Sequence, residues 1–288
     1  MDAAHFQWKQ LRRFLAQGPR LVEGLGVEIH VGVVALDPLH LSLLEKEAEP
    51  SPFAAGQSLY TRDKEEHSHE KNAETPVIKV VLYGAMSSLG SALMAEMLRR
   101  QHEVIAILDD LTALAPRPGL RTKTGDLFDP ERVKQSVAGA SAVVCLLNAP
   151  GLPMNSEQVE RTLIPGPVEQ VLAVDALIAG MQAVNIPRLF LVGDFAMLDE
   201  EPTDDDLQRH AAEEVLDALK NSTLQWTLIN APYAAPGLGI EHFSQVSTSL
   251  EPGMAESLER LNRVAVGIAD ELRLNLHVGE HVSFVAAM

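Results

Sequence analysis

Cysteine is nearly absent from this sequence, and neither a long hydrophobic run nor an excess of basic residues is present. Cys145 is the single cysteine among 288 residues, which excludes an intrachain disulfide and a thiolate metal cluster. No run reaches the length of about eighteen apolar residues that a membrane-spanning helix requires. Lysine and arginine number 23 against 40 acidic residues, giving a formal net charge of −17. Binding to nucleic acid requires concentrated positive charge, so we expect no nucleic-acid partner. Because no spanning run is present, we also expect no membrane partner.

The hydrophobic content, in contrast, is sufficient for a full globular core, at 46% of residues. Cys145 lies inside the apolar segment 142–147, where we interpret it as a packed side chain rather than a nucleophile. Residues 1–10 lack the apolar stretch of a secretory signal, and we interpret the basic stretch 8–20 as a surface helix rather than a targeting helix. These features favour a cytoplasmic location.

Composition divides the chain into three parts. Residues 1–48 contain an amphipathic stretch and an alternating, strand-like segment, and we treat them as an N-terminal extension of unknown role. Residues 49–75 are rich in Glu, Lys, His, Ser and Pro, which predicts a flexible acidic linker. His67 and His69 lie in that linker without a third ligand at a recognisable spacing, so no metal site is predicted. Residues 76–288 form the third part, which we predict to be the folded domain.

Strand-like and helix-like segments alternate throughout the third part, which predicts an α/β fold with a doubly wound parallel sheet. The first strand is an almost unbroken apolar run, as expected for a strand covered on both faces. The predicted strands are 77–82, 103–108, 119–124, 142–147, 188–192 and 224–230, and the predicted helices are 89–101, 130–138, 168–184 and 207–220.

The first predicted strand leads directly into a glycine-containing loop, residues 84–90, which reads Gly-Ala-Met-Ser-Ser-Leu-Gly. A strand, a glycine loop and a helix in this order are typical of a dinucleotide-binding unit. Gly84 allows the tight turn, and Gly90 allows the helix to pack closely on the strand. The helix N-terminus offers unpaired amides and partial positive charge to a pyrophosphate. The predicted cofactor contacts here are Gly84, Met86, Ser87, Ser88, Leu89 and Gly90.

This loop resembles that of the atypical short-chain dehydrogenases/reductases, including NADH-flavin reductase-like and NmrA-like NAD(P)H-binding proteins, which read G-A-T-G-x-x-G. The resemblance implies a Rossmann fold, NAD as cofactor with NADP as an alternative, and a small-molecule substrate. Ser87 replaces the middle glycine, and it either weakens binding or hydrogen-bonds a phosphate itself. Further matching segments are 102–109, 125–127, 147–151, 187–194, 210–214, 225–232 and 268–272, whereas residues 1–75 match nothing in the family.

The same resemblance implies contacts beyond the loop. Asp109 follows the second strand, close to where an acidic residue accepts hydrogen bonds from the adenosine ribose. Its carboxylate would repel the 2′-phosphate of NADP, so NAD is the expected cofactor; the alternative is a solvated loop aspartate. Asp126 and Leu127 match a short acidic motif that faces the adenine, and Leu147, Asn148 and Ala149 match the segment that lines the nicotinamide ribose.

The Tyr-x-x-x-Lys pair that ordinary short-chain dehydrogenases use for proton transfer is missing from the predicted domain. The one such spacing, Tyr60 to Lys64, precedes the cofactor loop and lies in the predicted linker. Asp194 occupies the position of the family's active-site serine, where it is either a base or a cap. Tyr233 follows the last strand and either covers the nicotinamide or merely packs. Asp194 and Tyr233 are the predicted catalytic residues.

The function that these features favour is hydride transfer from NADH or NADPH to a flavin, a quinone or a small carbonyl compound. A flavin-type reaction mainly requires two rings to be positioned, so the missing Tyr–Lys pair is compatible with it. One alternative is a non-catalytic dinucleotide-sensing regulatory protein that controls a partner protein. Another is an NAD-dependent epimerase/dehydratase. Resemblance of fold does not choose among these functions. Whether the protein forms a homo-oligomer also stays open.

Overall fold

The computed structural model describes residues 77–150, 152–153, 164–200, 207–244 and 253–284, which lie in one compact unit. The N-terminal extension and the acidic linker predicted for residues 1–48 and 49–75 therefore lie outside the described residues. Within the described ranges, no helix has the length and apolar character needed to cross a bilayer.

A sheet of seven parallel strands, in the order β3-β2-β1-β4-β5-β6-β7, forms the centre of this unit. Strands β1, β4 and β5 are almost wholly buried, as their apolar runs predict. The order reverses between β1 and β4, and a crevice at the carboxyl ends of the strands is expected at such a point. The strands are β1 (Lys79–Tyr83), β2 (Glu103–Ile107), β3 (Leu120–Lys123), β4 (Ala142–Leu146), β5 (Arg188–Gly193), β6 (Gln225–Asn230) and β7 (Glu280–Ser283).

Helices pack in two groups, as expected for a sheet that is covered on both faces. The helices are α1 (Ser88–Arg99), α2 (Pro130–Val137), α3 (Pro167–Ala183), α4 (Leu207–Lys220), α5 (Ile240–Phe243) and α6 (Met254–Leu274), with a 3₁₀ turn at Ala196–Leu198. One group consists of α1, α5 and α6, and the other of α2, α3 and α4. Asp129 caps α2 by accepting a hydrogen bond from the Glu131 amide at 2.9 Å, ahead of Pro130 in the first turn.

The predicted doubly wound α/β fold is confirmed, and each strand and helix predicted above for residues 76–288 has its counterpart in the structure. Strand β7 was not predicted from the sequence. It reads Glu-His-Val-Ser, without an apolar run, because it lies at the edge of the sheet and is only partly buried. Its place is determined by pairing with β6, from Thr227 opposite Glu280 to Asn230 opposite Ser283.

Candidate cofactor-binding site

The loop between β1 and α1 turns tightly at Gly84. Its φ is +86°, a conformation that glycine adopts easily, and a Cβ added there would lie 2.7 Å from the Cβ of Ala149. Gly90 packs so closely against the loop that an added Cβ would collide with the Gly84 carbonyl oxygen. The turn and the close packing that the glycine pattern predicts are both present.

Ser87 is the N-cap of α1, and its hydroxyl is engaged on both sides within the loop. The hydroxyl donates to the Gly84 carbonyl at 2.8 Å and accepts from the Gly90 amide at 3.0 Å. A hydroxyl carries one hydrogen, which here is already donated. This geometry therefore does not support donation from Ser87 to a phosphate, one of the two consequences left open by the sequence.

The first turn of α1 presents main-chain donors next to this cap. The amides of Ser88 and Leu89 have no acceptor in the part of the chain that the structure describes, as is normal for the first positions of a helix. The first turn carries no acidic side chain that would compete with an anion. Two open amides and the positive end of the helix dipole suit the pyrophosphate of a dinucleotide.

A cleft of about 260 Å³ opens beside this helix end, at the point where the strand order reverses. The ends of β4 and β5 and the loop 231–237 after β6 form its other walls. Predicted site residues that line the cleft are Met86, Ser87, Ser88, Leu89, Asn148, Ala149 and Tyr233. The fold thus brings together residues from three separate segments of the chain.

The family model described as NAD(P)H-binding matches residues 84–249, which is more than half of the chain. This chain belongs to the NAD(P)H-binding family. The predicted resemblance to an NAD(P)H-binding family is thereby confirmed, as is the predicted nicotinamide dinucleotide cofactor. The glycine cradle, the open amides of α1 and the adjoining cleft fit that cofactor.

Solved structures share the fold of this NAD(P)H-binding protein. The oxidoreductase ylbE from Lactococcus lactis is 15% identical over 73% of this chain and 92% of its own, with a TM-score of 0.51. The enzyme WbmH from Bordetella bronchiseptica, in complex with NAD+, is 14% identical over 73% of this chain and 76% of its own, with a TM-score of 0.50. No curated protein sequence matches the chain significantly. At these identities the likeness shows the Rossmann fold.

Six predicted cofactor residues of the NAD(P)H-binding domain do not line the cleft: the loop glycines Gly84 and Gly90, described above, and four others. Asp109 is exposed just beyond the end of β2, and its ribose contact stays a prediction. Asp126 is buried and accepts a hydrogen bond from the Phe128 amide at 2.9 Å, so its carboxylate supports the turn before α2. The side chains of Leu127 and Leu147 are fully buried in the core, so neither lines the cleft.

The two predicted catalytic residues have their polar groups directed to main-chain atoms. Asp194 accepts a long hydrogen bond of 3.5 Å from the Ala196 amide, as a cap does, and does not line the cleft. The Tyr233 ring lines the cleft, but its hydroxyl donates to the Phe284 carbonyl at 2.8 Å. The catalytic roles of both residues stay predictions.

Two polar contacts at the cleft were not predicted from the sequence. The Ser88 hydroxyl accepts a hydrogen bond from the Ala235 amide at 3.0 Å and so joins α1 to the loop after β6. The Gln170 side chain donates to Asn148 Oδ1 at 3.4 Å from α3. Gln170 is a buried polar residue in a largely apolar helix, and that anomaly was the available sequence signal.

Proposed function

We propose that this protein is an NAD(P)H-dependent oxidoreductase that passes a hydride to a flat, conjugated acceptor, a flavin or a quinone. The lining of the cleft carries the proposal. Apart from Ser87, Ser88, Asn148 and the engaged hydroxyl of Tyr233, the described residues that line the cleft are aliphatic residues, methionine, proline and glycine. Apolar walls with a few placed polar groups suit a planar ring system.

The chain's own residues divide the work of binding. The Ser88 and Leu89 amides would hold the pyrophosphate, and Asn148 and Ala149 would face the nicotinamide ribose. A bound reduced nicotinamide supplies the hydride. Leu146 and Val192 exclude water from the inner wall of the cleft. The protein's contribution is then to hold the two rings in contact, while solvent supplies the proton that completes the reduction.

A small carbonyl compound is the less favoured acceptor. Hydride addition to a carbonyl leaves an alkoxide, which requires a positioned proton donor. The Tyr233 hydroxyl donates instead to Phe284, and Asp194 does not line the cleft. No described residue of the cleft is a placed acid, which weakens the case for an epimerase or dehydratase as well.

A non-catalytic dinucleotide sensor is the second candidate function. The observation that favours it is that Asp194 and Tyr233 contact main-chain atoms while Ser87 replaces a family glycine. A sensor would bind NAD(P)H and oxidise it with no acceptor.

Asp109 is proposed as the ribose ligand that makes NADH the preferred donor. It lies beyond the carboxyl end of β2, which pairs with β1 directly before the glycine loop. Its carboxylate would accept hydrogen bonds from ribose hydroxyls and would repel a 2′-phosphate.

The decisive test follows NADH and NADPH absorbance with riboflavin, a quinone and several aldehydes at saturating nucleotide. We expect oxidation with flavin or quinone, faster with NADH. Replacing Asp194 or Tyr233 by alanine should slow turnover by less than the roughly 10²–10⁴-fold that a dedicated acid or base contributes. Asp109→Arg should reverse the preference between NADH and NADPH.

Asp110→Arg is the matched control, since it makes the same charge change one position away, at a residue that bonds Thr112. It should leave the nucleotide preference unchanged. NADH binding without oxidation across the whole panel would refute the oxidoreductase and support the sensor.

A further inference from the structure

A buried glutamine lies behind the polar wall of the cleft. Asn148 lines the cleft just after β4, and Gln170, which is 6% exposed, contacts it from the first turn of α3. The Gln170 Nε2 group donates to the Pro165 carbonyl at 3.1 Å and to Asn148 Oδ1 at 3.4 Å. Both hydrogen bonds of this buried side chain are made by its Nε2 group, so its role has to be explained by the two partners.

These contacts determine which way both amides point. The Pro165 carbonyl can only accept a hydrogen bond, so the Gln170 atom that faces it is the NH2 group and not the oxygen. The second hydrogen of that NH2 group then requires an oxygen on Asn148, which places Oδ1 toward Gln170. This oxygen also lies against Gly193, where an added Cβ would approach it to 3.3 Å.

We infer that Gln170 is a positioning residue that leaves the NH2 group of Asn148 to the cleft, where it selects a ligand with an oxygen acceptor. Asn148 Nδ2 has no protein acceptor within the described ranges. A reversed amide would offer an oxygen, which repels a carbonyl oxygen. The inference rests on the proposed function for the identity of the ligand. The selected atom is a carbonyl oxygen, either on the nicotinamide carboxamide of the cofactor or on the flavin or quinone.

A flavin or quinone oxygen gains negative charge as the ring is reduced. A donor already directed at that oxygen stabilises the developing charge without reorganisation. The nicotinamide carboxamide carries a neutral carbonyl oxygen that accepts the same hydrogen bond. Asn148 therefore acts either on cofactor affinity or on the acceptor, and the two are separable by experiment.

The test replaces the donor behind Asn148 with an acceptor, in the variant Gln170→Glu. A glutamic acid that keeps its hydrogen toward Pro165 presents an oxygen to Asn148, so the Asn148 amide reverses. Gln170→Met removes the contact without reversing it and serves if the first variant does not fold. Gln182→Glu is the control, because this residue is on the same helix, where its side chain donates to Thr223.

The binding of NAD+, ADP-ribose and ADP is measured by calorimetry. The KM values for riboflavin and for a quinone are measured by steady-state kinetics at saturating NADH. We expect Gln170→Glu to weaken one of these interactions about tenfold, the loss of one hydrogen bond. Weaker NAD+ binding with unchanged ADP-ribose identifies the carboxamide as the ligand oxygen. Loss of both with unchanged ADP would overturn the inference, because a ribose hydroxyl can donate to the reversed Asn148 amide as well as accept from it. A raised KM alone identifies the hydride acceptor. Gln170→Met should show a smaller loss in the same interaction.

Unchanged constants for every probe in both Gln170 variants would overturn the inference. An equal loss of ADP affinity would also overturn it, since that result indicates general damage to the site, as would the same effect in Gln182→Glu. A wild-type protein that binds NAD+ but oxidises no NADH would refute the proposed oxidoreductase alone. The NAD+ and ADP-ribose arms would then decide the inference.

Discussion

At the scale of single residues, Ser87 is where this chain departs most clearly from the glycine loop of its family. Its side chain caps α1 instead of leaving open space for the pyrophosphate, with the hydroxyl bonded to Gly84 and Gly90. Its backbone is in the extended region at φ −70°, so the serine is unstrained. What the serine changes is how closely a pyrophosphate can approach the main chain of the loop.

Ser87→Gly should therefore tighten NAD+ binding, because it restores the close approach that the family glycine allows. The free energy of unfolding should fall by only a few tenths of a kcal/mol, since glycine is itself an acceptable N-cap. Calorimetry and urea unfolding measure the two quantities.

Ser87→Ala is the matched control. It keeps the Cβ and removes the cap, so we expect a loss of about 1 kcal/mol in stability without a gain in affinity. Equal NAD+ affinity in wild type and Ser87→Gly would show that the serine does not hinder the pyrophosphate.

At the scale of elements, a buried ionic cluster joins the amino ends of β5 and β6 to the last turn of α6. The Arg188 side chain donates to Asn275 Oδ1 at 2.7 Å, to Thr227 Oγ1 at 2.8 Å and to Glu271 Oε1 at 3.2 Å. Burial lowers the pKa of Arg188 to about 10, although Glu271 opposes the shift, so the guanidinium stays charged at neutral pH. Glu271 also accepts from the His277 amide at 2.8 Å, which places the chain that leads to β7.

Arg188→Met should lower the free energy of unfolding by about 3–5 kcal/mol, because Glu271 would be left buried without its cationic partner. Urea unfolding at neutral pH measures the loss. NAD+ affinity should be unchanged in the folded variant, since the cluster lies at the end of the sheet opposite the cleft.

The double variant Arg188→Met with Glu271→Leu tests the cause. Removing both charges should recover part of the lost stability, because apolar replacements of a buried ion pair are often tolerated. A single variant that loses less than about 1 kcal/mol would mean that solvent reaches Glu271.

At the scale of the whole molecule, stability should depend on pH through one buried and one partly buried histidine. His102 is buried at the start of β2, where its Nδ1 accepts a hydrogen bond from the Ile78 amide at 3.4 Å. Burial, followed by the charges of Arg100 and Arg273, holds the pKa of His102 below its ordinary value of 6.5. Burial likewise lowers the pKa of His281, against the opposing effect of Asp199.

A depressed histidine pKa means that the unfolded chain binds a proton first as the solution is acidified. The stabilisation is therefore fully present above pH 6.5 and is lost as the pH falls through the lower pKa of the folded state. We expect the urea midpoint of wild type to decrease as the pH is lowered from about 7.5 to about 5.5, a range chosen to span the ordinary histidine pKa.

His102→Asn keeps an acceptor for the Ile78 amide and does not titrate. Its urea midpoint should fall less than that of wild type over the same range. An equal fall in both proteins would assign the pH dependence to other groups.

Strand patterns illustrate how far the sequence alone predicts this fold. The runs that became β1 and β4 are apolar because both faces are buried, and that burial makes them recognisable in a single sequence. Strand β7 has no such run and exists because β6 offers a free edge for pairing. Its partner lies about fifty positions away, and no local pattern records such a pairing.

The candidate site divides in the same way. Gly84 and Gly90 are close in sequence, and their steric roles follow from the order of strand, loop and helix, so the fold class and the dinucleotide cofactor were predictable from local pattern. The directions of the polar groups were not. The Tyr233 hydroxyl reaches Phe284, and Gln170 reaches Asn148 from 22 positions away in the sequence. Hydrogen-bond direction depends on atoms that only folding brings within 3.5 Å, so the tertiary structure alone decided which side chains face the cleft and which are engaged elsewhere.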